Sequence, residues 1–491
     1  MINFKINTQK KHPISKYLYM QFMEPLSSTD SSVDAAWDYG TNEWYPAVIE
    51  ATRDLAPSMI RYGGCFASYY HWKEAVGPRS HRVPMINYAW GGVFPNQVGT
   101  HEVIDFCRQV QAEPLIVANM ESEGLPFWQN PSEGSIRMGT DEEAAEWVDY
   151  CNNPDNALRI KNGATEPFNV KYWQIGNETS YKTLSYNGYS ERGFTLDGCY
   201  EATTRFARAM RKKDDSIKII GWGDRVINWS DDAEHGQNWC KRMSEIEEID
   251  MLAFHHHFGS GLDNSPLTGT KYRDDVEETW RHLMHAHNSI QSDIDRMRAD
   301  CGKKRLAMTE GHFALPGRNR NEVLSSWGAG VAYARCLNTV MRNSDILDIA
   351  TMADFFGNVW QVNAMIIPTP IRDNKPYLQP VGAVMKLFRK YHGEFAIDVS
   401  YNGAIDAVGS ITDNEVYLHI ANTDMKYAQE LKFDLGERKI LSGEICYIAT
   451  NPEVEITPEN TDVFTPVKAN LECDSFTLPP AAVAAIKICL Q

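Results

Sequence analysis

Two glutamates stand where a pair of carboxylates could act together. The run VKYWQIGNE ends in Asn177-Glu178, and the run KRLAMTE ends in Glu310. If both strand ends open onto one mouth, one carboxyl can give its proton to a leaving glycosidic oxygen. The other can attack the sugar carbon or guide water to it. Either glutamate alone says little among 65 acidic residues, since most such groups are solvated or paired. Their pairing, with Asn177 beside one of them, is what singles them out.

His255-His256-His257 invites a metal reading. On a strand, alternation puts His255 and His257 on one face and His256 on the other. Two ligands with no third at fitting spacing make a weak zinc pattern. Residues lining a site, or core histidines that have found partners, are the other readings. No metal and no cofactor is expected, because Gly63-Gly64 and Gly91-Gly92 fit neither a dinucleotide nor a P-loop pattern and read as tight turns. Trp72, Trp90 and Trp128 fall in loops after the second and third apolar runs, where they would stack on a sugar or pack in the walls.

For strand ends to share a mouth, the strands must run parallel. Apolar, β-branched runs occur at Lys16–Met23, Ser58–Tyr62, Pro114–Asn119, Val170–Gly176, Ile217–Gly221, Met251–His257, Arg305–Glu310 and Asp348–Phe355. Helical patterns lie between them at Glu43–Leu55, His101–Gln111, Glu142–Asn152, Cys199–Lys212, Asp274–Arg298 and Asn321–Arg342. The third interval carries extra loop material from Glu121 to Thr140. Eight repeats of strand and helix predict an α/β fold, a (β/α)8 TIM barrel with chemistry at the C-terminal strand ends. A doubly wound open sheet would give no reason for chemistry at so many strand ends.

After the helical Val381–Tyr391 the pattern changes to short apolar runs separated by turn residues. These are Ile405–Ile411, Glu415–Ala421, Glu430–Phe433, Gly443–Ala449, Ser475–Leu478 and Ala482–Ile488, and they predict an appended all-β sandwich. The barrel is expected over residues 9–392 and the sandwich over 393–491, joined by a strand within 1–8.

A net charge of −17 argues against nucleic acid or an anionic membrane as partner. The N-terminus lacks an apolar signal region, no stretch approaches the roughly 18 apolar residues of a membrane span, and a cytoplasmic protein is expected. The ten cysteines are scattered singly, as buried free thiols would be.

Several long segments resemble glycoside hydrolase family 51, the α-L-arabinofuranosidases, in the family's order. They are MIRYGGCFASYYHWKEAVGP at Met59–Pro78, VGTHEVIDFCRQVQAEPLIVAN at Val98–Asn119, the stretch Ala144–Glu178, and FTLPPAAVAAI at Phe476–Ile486. The resemblance implies retaining cleavage, with Glu178 as acid/base, Glu310 as nucleophile and carboxyls only about 5–5.5 Å apart. It gives Asn177 to the sugar 2-OH, Arg61 to orientation of the nucleophile, and Glu24, Gln361 and His255 to the sugar site. Several positions depart from the family pattern, among them Pro25-Leu26-Ser27 after Glu24 and Thr309 before Glu310. Cys65 stands where many members have a sugar-contacting Asn, His257 replaces a Tyr that steers the nucleophile, and Gly311 follows Glu310 where a Trp is usual. The family is often oligomeric, so the resemblance also implies a homo-oligomer.

The reading is therefore a retaining, exo-acting α-L-arabinofuranosidase on plant-type poly- or oligosaccharides. An endo-β-glucanase, a β-xylosidase or another furanosidase would keep the same catalytic pair. A metal-dependent hydrolase would instead use the histidines, and a non-catalytic carbohydrate-binding relative would not need both carboxylates.

Overall fold

Eight apolar strands pair in chain order, each parallel to the next: β1 (Gln21–Met23), β2 (Met59–Tyr62), β3 (Glu113–Ala118), β4 (Tyr172–Ile175), β5 (Lys218–Trp222), β6 (Met251–Phe258), β7 (Arg305–Phe313) and β8 (Leu347–Ala350). This is a computed structural model, and it describes residues 1–87, 89–122, 138–180, 194–224, 238–317, 321–369, 371, 375–471 and 474–491. An open sheet would leave β1 and β8 as bare edges. Here Met20 N donates to Ala350 O at 2.9 Å, Ala350 N donates to Tyr17 O at 3.1 Å, and Tyr17 bridges Ile349. The sheet closes on itself as a barrel.

Between the strands run α1 (Pro46–Leu55), α2 (Thr100–Val110), α3 (Asp141–Asn152), α4 (Leu196–Arg211), α5 (Trp239–Ser244), α6 (Val276–His285), α7 (His287–Asp300) and α8 (Trp327–Arg342), with α9 (Pro380–Lys390) after β8. Local signals start them. Proline opens α1 and α9, where its missing N–H costs nothing. Thr140, Thr195, Asn238 and Asp275 cap α3, α4, α5 and α6, each accepting a backbone N–H three residues on. Among the described residues no helix is long and apolar enough to cross a membrane.

Two expected elements differ. The helix anticipated over Asp274–Arg298 is broken between α6 and α7, where the Met284 carbonyl is taken by His287 Nδ1 at 3.1 Å and by Arg335. The run Asp348–Phe355 splits. Its first part is β8, and its second begins a three-stranded sheet of Asp354–Gly357, Asn363–Ile366 and Tyr377–Leu378.

The C-terminal strands are β9 (Phe395–Ser400), β10 (Ile405–Thr412), β11 (Glu415–Asn422), β12 (Gln429–Asp434), β13 (Ile440–Ile448), β14 (Val467–Asn470), β15 (Ser475–Leu478) and β16 (Val483–Leu490). Their hydrogen-bonded order is β14-β13-β16-β11-β10-β9, then the N-terminal strand Ile2–Asn7, then β12-β15. The two ends of this ribbon share one core, in which Phe4, Leu431 and Phe433 cluster with Leu418, Ile420, Ile486 and Ile488. Helices α8 and α9 join it to the barrel. Trp327 Nε1 donates to Ala481 O at 2.7 Å, Asn338 Nδ2 to Asp406 Oδ1 at 2.8 Å, and Phe388 lies flat on His419 at 4.1 Å. The nine described cysteines are free, seven of them buried and Cys65 and Cys489 half-buried.

Candidate active site

A bulge aims one glutamate. In the β6–β7 ladder Phe254 pairs with Met308 but His255 pairs with Glu310, so Thr309 is an extra residue in β7. Such a residue resets which face the next side chain takes. His255 and Glu310 thereby share one face, and two residues on His257 stands opposite His312. Thr309 also holds the imidazole, its Oγ1 lying 3.0 Å from His255 Nε2. A kink aims the other glutamate. Just beyond β4 Gly176 turns the chain (φ 69°), and Glu178 itself is left-handed (φ 50°). A non-glycine residue held there stores a little strain, which clusters at working sites.

The two carboxylates meet at one ring. His255 Nδ1 lies 2.8 Å from Glu178 Oε1 and 3.5 Å from Glu310 Oε2, and one oxygen of each glutamate lies within 4.8 Å of the other's. Edge-on Trp222, 4.6 Å away, fixes the imidazole from behind.

Arg61, fully buried at the end of β2, forks across three partners. Nη1 donates to Glu310 Oε1 at 2.8 Å, Nη2 to Asn177 Oδ1 at 2.6 Å and Nε to Gln174 Oε1 at 3.0 Å. Burial alone would push the Glu310 carboxyl up. The charges of His255, Arg61 and His257 outweigh it and hold Glu310 well below the usual carboxylate range. His257 Nε2 is 3.6 Å from Glu310 Oε2. Burial pulls the His257 ring down, but Glu310 and Glu178 more than compensate and leave it raised.

Glu24, in the loop after β1, is buried and accepts from Phe66 N at 2.9 Å and from Trp90 Nε1 at 2.8 Å, both at Oε1. Burial first, and then the charge of Glu310, pushes its carboxyl up to about 8. Gly64 makes the room, since a Cβ there would lie 2.3 Å from the Glu24 carboxyl, and its φ of 124° is one that glycine adopts freely. Cys65 follows. Burial and then the charges of Glu24, Glu178 and Glu310 push its thiol up, so it is neutral beside them. Trp90 meets Trp360 edge-on at 5.3 Å, and next to Trp360 is Gln361, whose Oε1 is buried without a hydrogen-bond partner.

All ten residues picked from the sequence are described. Glu178, Glu310, Arg61, Asn177, His255 and His257 are joined by direct contacts, and Glu24 and Trp90 form a second pair close enough for Glu24 to feel Glu310. Trp72 is wall instead. It is buried, donates to Glu143 O at 3.0 Å and stacks on Trp147. Trp128 lies outside the described residues. Sequence reading passed over Gln174, Thr309, His312 and Asp354. Gln174 lies on β4, the strand that leads to Asn177 and Glu178. The His312 ring lies tilted against His257 at 4.5 Å, with Nε2 3.5 Å from Asp354 Oδ1. Burial and then the charge of His257 lower the His312 ring to about 3. Burial and then the charges of Glu310, Asp30 and Glu24 push Asp354 well up.

His255 Nδ1 with one oxygen each from Glu178 and Glu310 is a set that could hold a cation. Arg61 at 2.8 Å and His257 at 3.6 Å from Glu310 bring positive charge against one. The arrangement suits a proton donor beside an ionised nucleophile better.

Comparison with known proteins agrees with this chemistry. Residues 51–260 match the family model of the α-L-arabinofuranosidase 1 domain. The chain is 25% identical over 472 residues to an intracellular exo-α-L-arabinofuranosidase of Bacteroides ovatus, covering 88% of this chain and 83% of that protein. The fold is shared with an α-L-arabinofuranosidase from Thermotoga maritima solved with arabinose (TM-score 0.75, 22% identity, 99% of both chains). It is also shared with a family 51 enzyme from Bifidobacterium longum (TM-score 0.79, 17% identity, 99% of both chains). Fold and relatives together define a barrel glycoside hydrolase. The chain is similar in sequence to α-L-arabinofuranosidases and in fold to family 51 enzymes.

Proposed function

We propose that the protein is a retaining, exo-acting α-L-arabinofuranosidase, with Glu310 as nucleophile and Glu178 as acid/base. The observation that carries this reading is the carboxylate spacing. Oxygens of Glu178 and Glu310 within 4.8 Å of each other suit direct attack, whereas inverting enzymes keep their carboxyls about 6.5–9.5 Å apart to seat a water.

In the first step a Glu310 oxygen bonds to the anomeric carbon as the glycosidic C–O bond breaks. The Glu178 proton passes to the leaving oxygen. In the second step Glu178 takes a proton from water, the water oxygen bonds to the same carbon, and the bond to Glu310 breaks. Arg61, His255 and His257 keep Glu310 anionic before attack. Asn177, oriented by Arg61, is placed to meet the sugar beside the acid/base. Glu24, with its proton on the unbonded oxygen, can donate to a sugar hydroxyl, and Trp90, Cys65 and Gln361 complete the sugar site.

We also read residues 9–392 as the catalytic barrel and 393–491 with 1–8 as the β domain, supported by the seat of Ile2–Asn7 between β9 and β12.

The test is Glu310→Ala with an aryl α-L-arabinofuranoside. Turnover is expected to vanish and to return in part with azide, giving an azido sugar of inverted configuration. Hydrolysis that continues without azide rules the assignment out. A panel including aryl xylosides, glucosides and galactofuranosides tests the sugar.

A further inference from the structure

The loop that carries Trp360 and Gln361 has an unusual construction. Asp354–Gly357 and Asn363–Ile366 are parallel neighbours, paired Asp354 to Asn363 and Gly357 to Ile366, yet only residues 358–362 connect them. Parallel strands ordinarily need a crossover of a dozen residues or more. A five-residue return leaves backbone N–H groups turned inward that no ladder can satisfy.

One carboxylate satisfies them. Asp30, fully buried, takes the N–H groups of Asn358 (3.2 Å), Val359 (2.6 Å) and Trp360 (2.9 Å) on Oδ1, and Asn363 Nδ2 (2.7 Å) on Oδ2. Its own carbonyl accepts Asn358 N as well. Three successive amides around one anionic oxygen form the kind of concavity that usually holds a bound anion. Here a side chain fills it. Gly357 keeps the space open, since a Cβ there would lie 1.9 Å from Asp30 Oδ2. The Asp30 segment is itself bent to fit, with Ser27, Ser31 and Ser32 in the left-handed region (φ 45°, 58° and 50°). At the loop's apex two buried polar atoms, Trp360 Nε1 and Gln361 Oε1, have no partner within the described residues, and the Trp360 ring abuts Trp90, which holds Glu24.

We infer that Asp30 is a positioning residue for sugar binding, its carboxylate folding the 358–362 loop so that Trp360 and Gln361 present an unfilled donor and acceptor to the sugar. Asp30 touches neither Glu178 nor Glu310, so its loss acts on binding rather than on bond breaking. The inference rests on the arabinofuranosidase reading for its substrate, but the loop itself can be followed without any substrate.

The experiment compares Asp30→Ala, Asp30→Asn and the exchange Asp30→Asn with Asn363→Asp. Two readouts are taken: amide hydrogen exchange at residues 356–363, and KM against kcat on the aryl glycoside that the unaltered enzyme cleaves best. For Asp30→Ala, exchange is expected to quicken at least tenfold and KM to rise at least tenfold, with kcat within threefold. Asp30→Asn keeps an acceptor for the three amides but turns an NH2 toward the Asn363 NH2, and the exchange of partners restores that pair. KM of the double variant is therefore expected below that of Asp30→Asn. Faster exchange with unchanged KM overturns the inference, as does a loss of kcat at constant KM. If Asp30→Ala does not fold, the two asparagine variants decide, and equal KM in both counts against the role. Unaltered enzyme that cleaves a glycoside other than the arabinofuranoside refutes the sugar assignment and leaves the KM comparison valid on that substrate.

Discussion

Arg61 on β2 and Glu310 on β7 form an ion pair at 2.8 Å with the guanidinium fully buried. Two charges taken from water gain little net stability by meeting, but removing one partner strands the other at a cost of about 3–5 kcal/mol. Gln174 and Asn177 occupy the other two arms of the fork, so the arginine is locked in place by β4 as well. Lysine can replace the charge but not the fork. Arg61→Lys is expected to lower kcat by about 10²-fold, the cost of small misplacement at a reacting centre, with a smaller change in KM. Steady-state kinetics check this, and an unaltered kcat argues against a positioning role.

His257 supplies positive charge to a nucleophile that Arg61 and His255 already hold low. A depressed Glu310 stays ionised well below pH 4.5, so activity that needs the anion survives into acid. In His257→Phe that support is lost and Glu310 moves back toward the ordinary value. The acid limb of kcat/KM, which reports the free enzyme, is expected to shift to higher pH. A pH–rate profile with an unmoved acid limb separates His257 from the nucleophile.

Glu24 gives a stability prediction of opposite sign. Its folded value near 8 is raised above 4.5, so its contribution is complete below about pH 4.5 and is lost as pH rises through 8. Glu24→Gln keeps the acceptor for Phe66 and Trp90 but does not titrate. The difference in Tm between variant and unaltered protein should therefore move in the variant's favour from pH 5 to pH 9. A difference that stays constant across that range means Glu24 ionises normally.

Glu178 is expected to show its role through leaving groups. In Glu178→Ala, aryl glycosides with acidic phenols should still glycosylate Glu310, while those with poor leaving groups should slow by at least about 10²-fold. Equal losses for both series remove the acid assignment.

The barrel was legible because strand and helix alternate in sequence with different periods, and the pair Glu178 and Glu310 because each closes an apolar run. Other parts are not written locally. Nothing in KRLAMTE marks Thr309 as a bulge; that depends on how β7 pairs with β6. Asp30 sits in a polar stretch indistinguishable from ordinary loop, and its meaning comes from amides 328 to 330 residues away. His312 and Asp354 acquire their character from burial beside other charges. The short parallel pair at Asp354–Gly357 escaped because its five-residue return breaks the usual rule for crossovers, and one carboxylate makes it feasible.

The N-terminal strand Ile2–Asn7 lies inside the β domain, antiparallel to β9 and parallel to β12. Nearly the whole barrel is synthesised between that strand and its first partner. At about 5–20 residues per second the wait is on the order of 20–80 s. During that time the nascent chain carries a β segment with apolar Ile2, Phe4 and Ile6 and no ladder to join, the kind of segment that recruits other chains. Production of this protein therefore depends on what shields Ile2–Asn7 on the ribosome until β9 and β12 have been made.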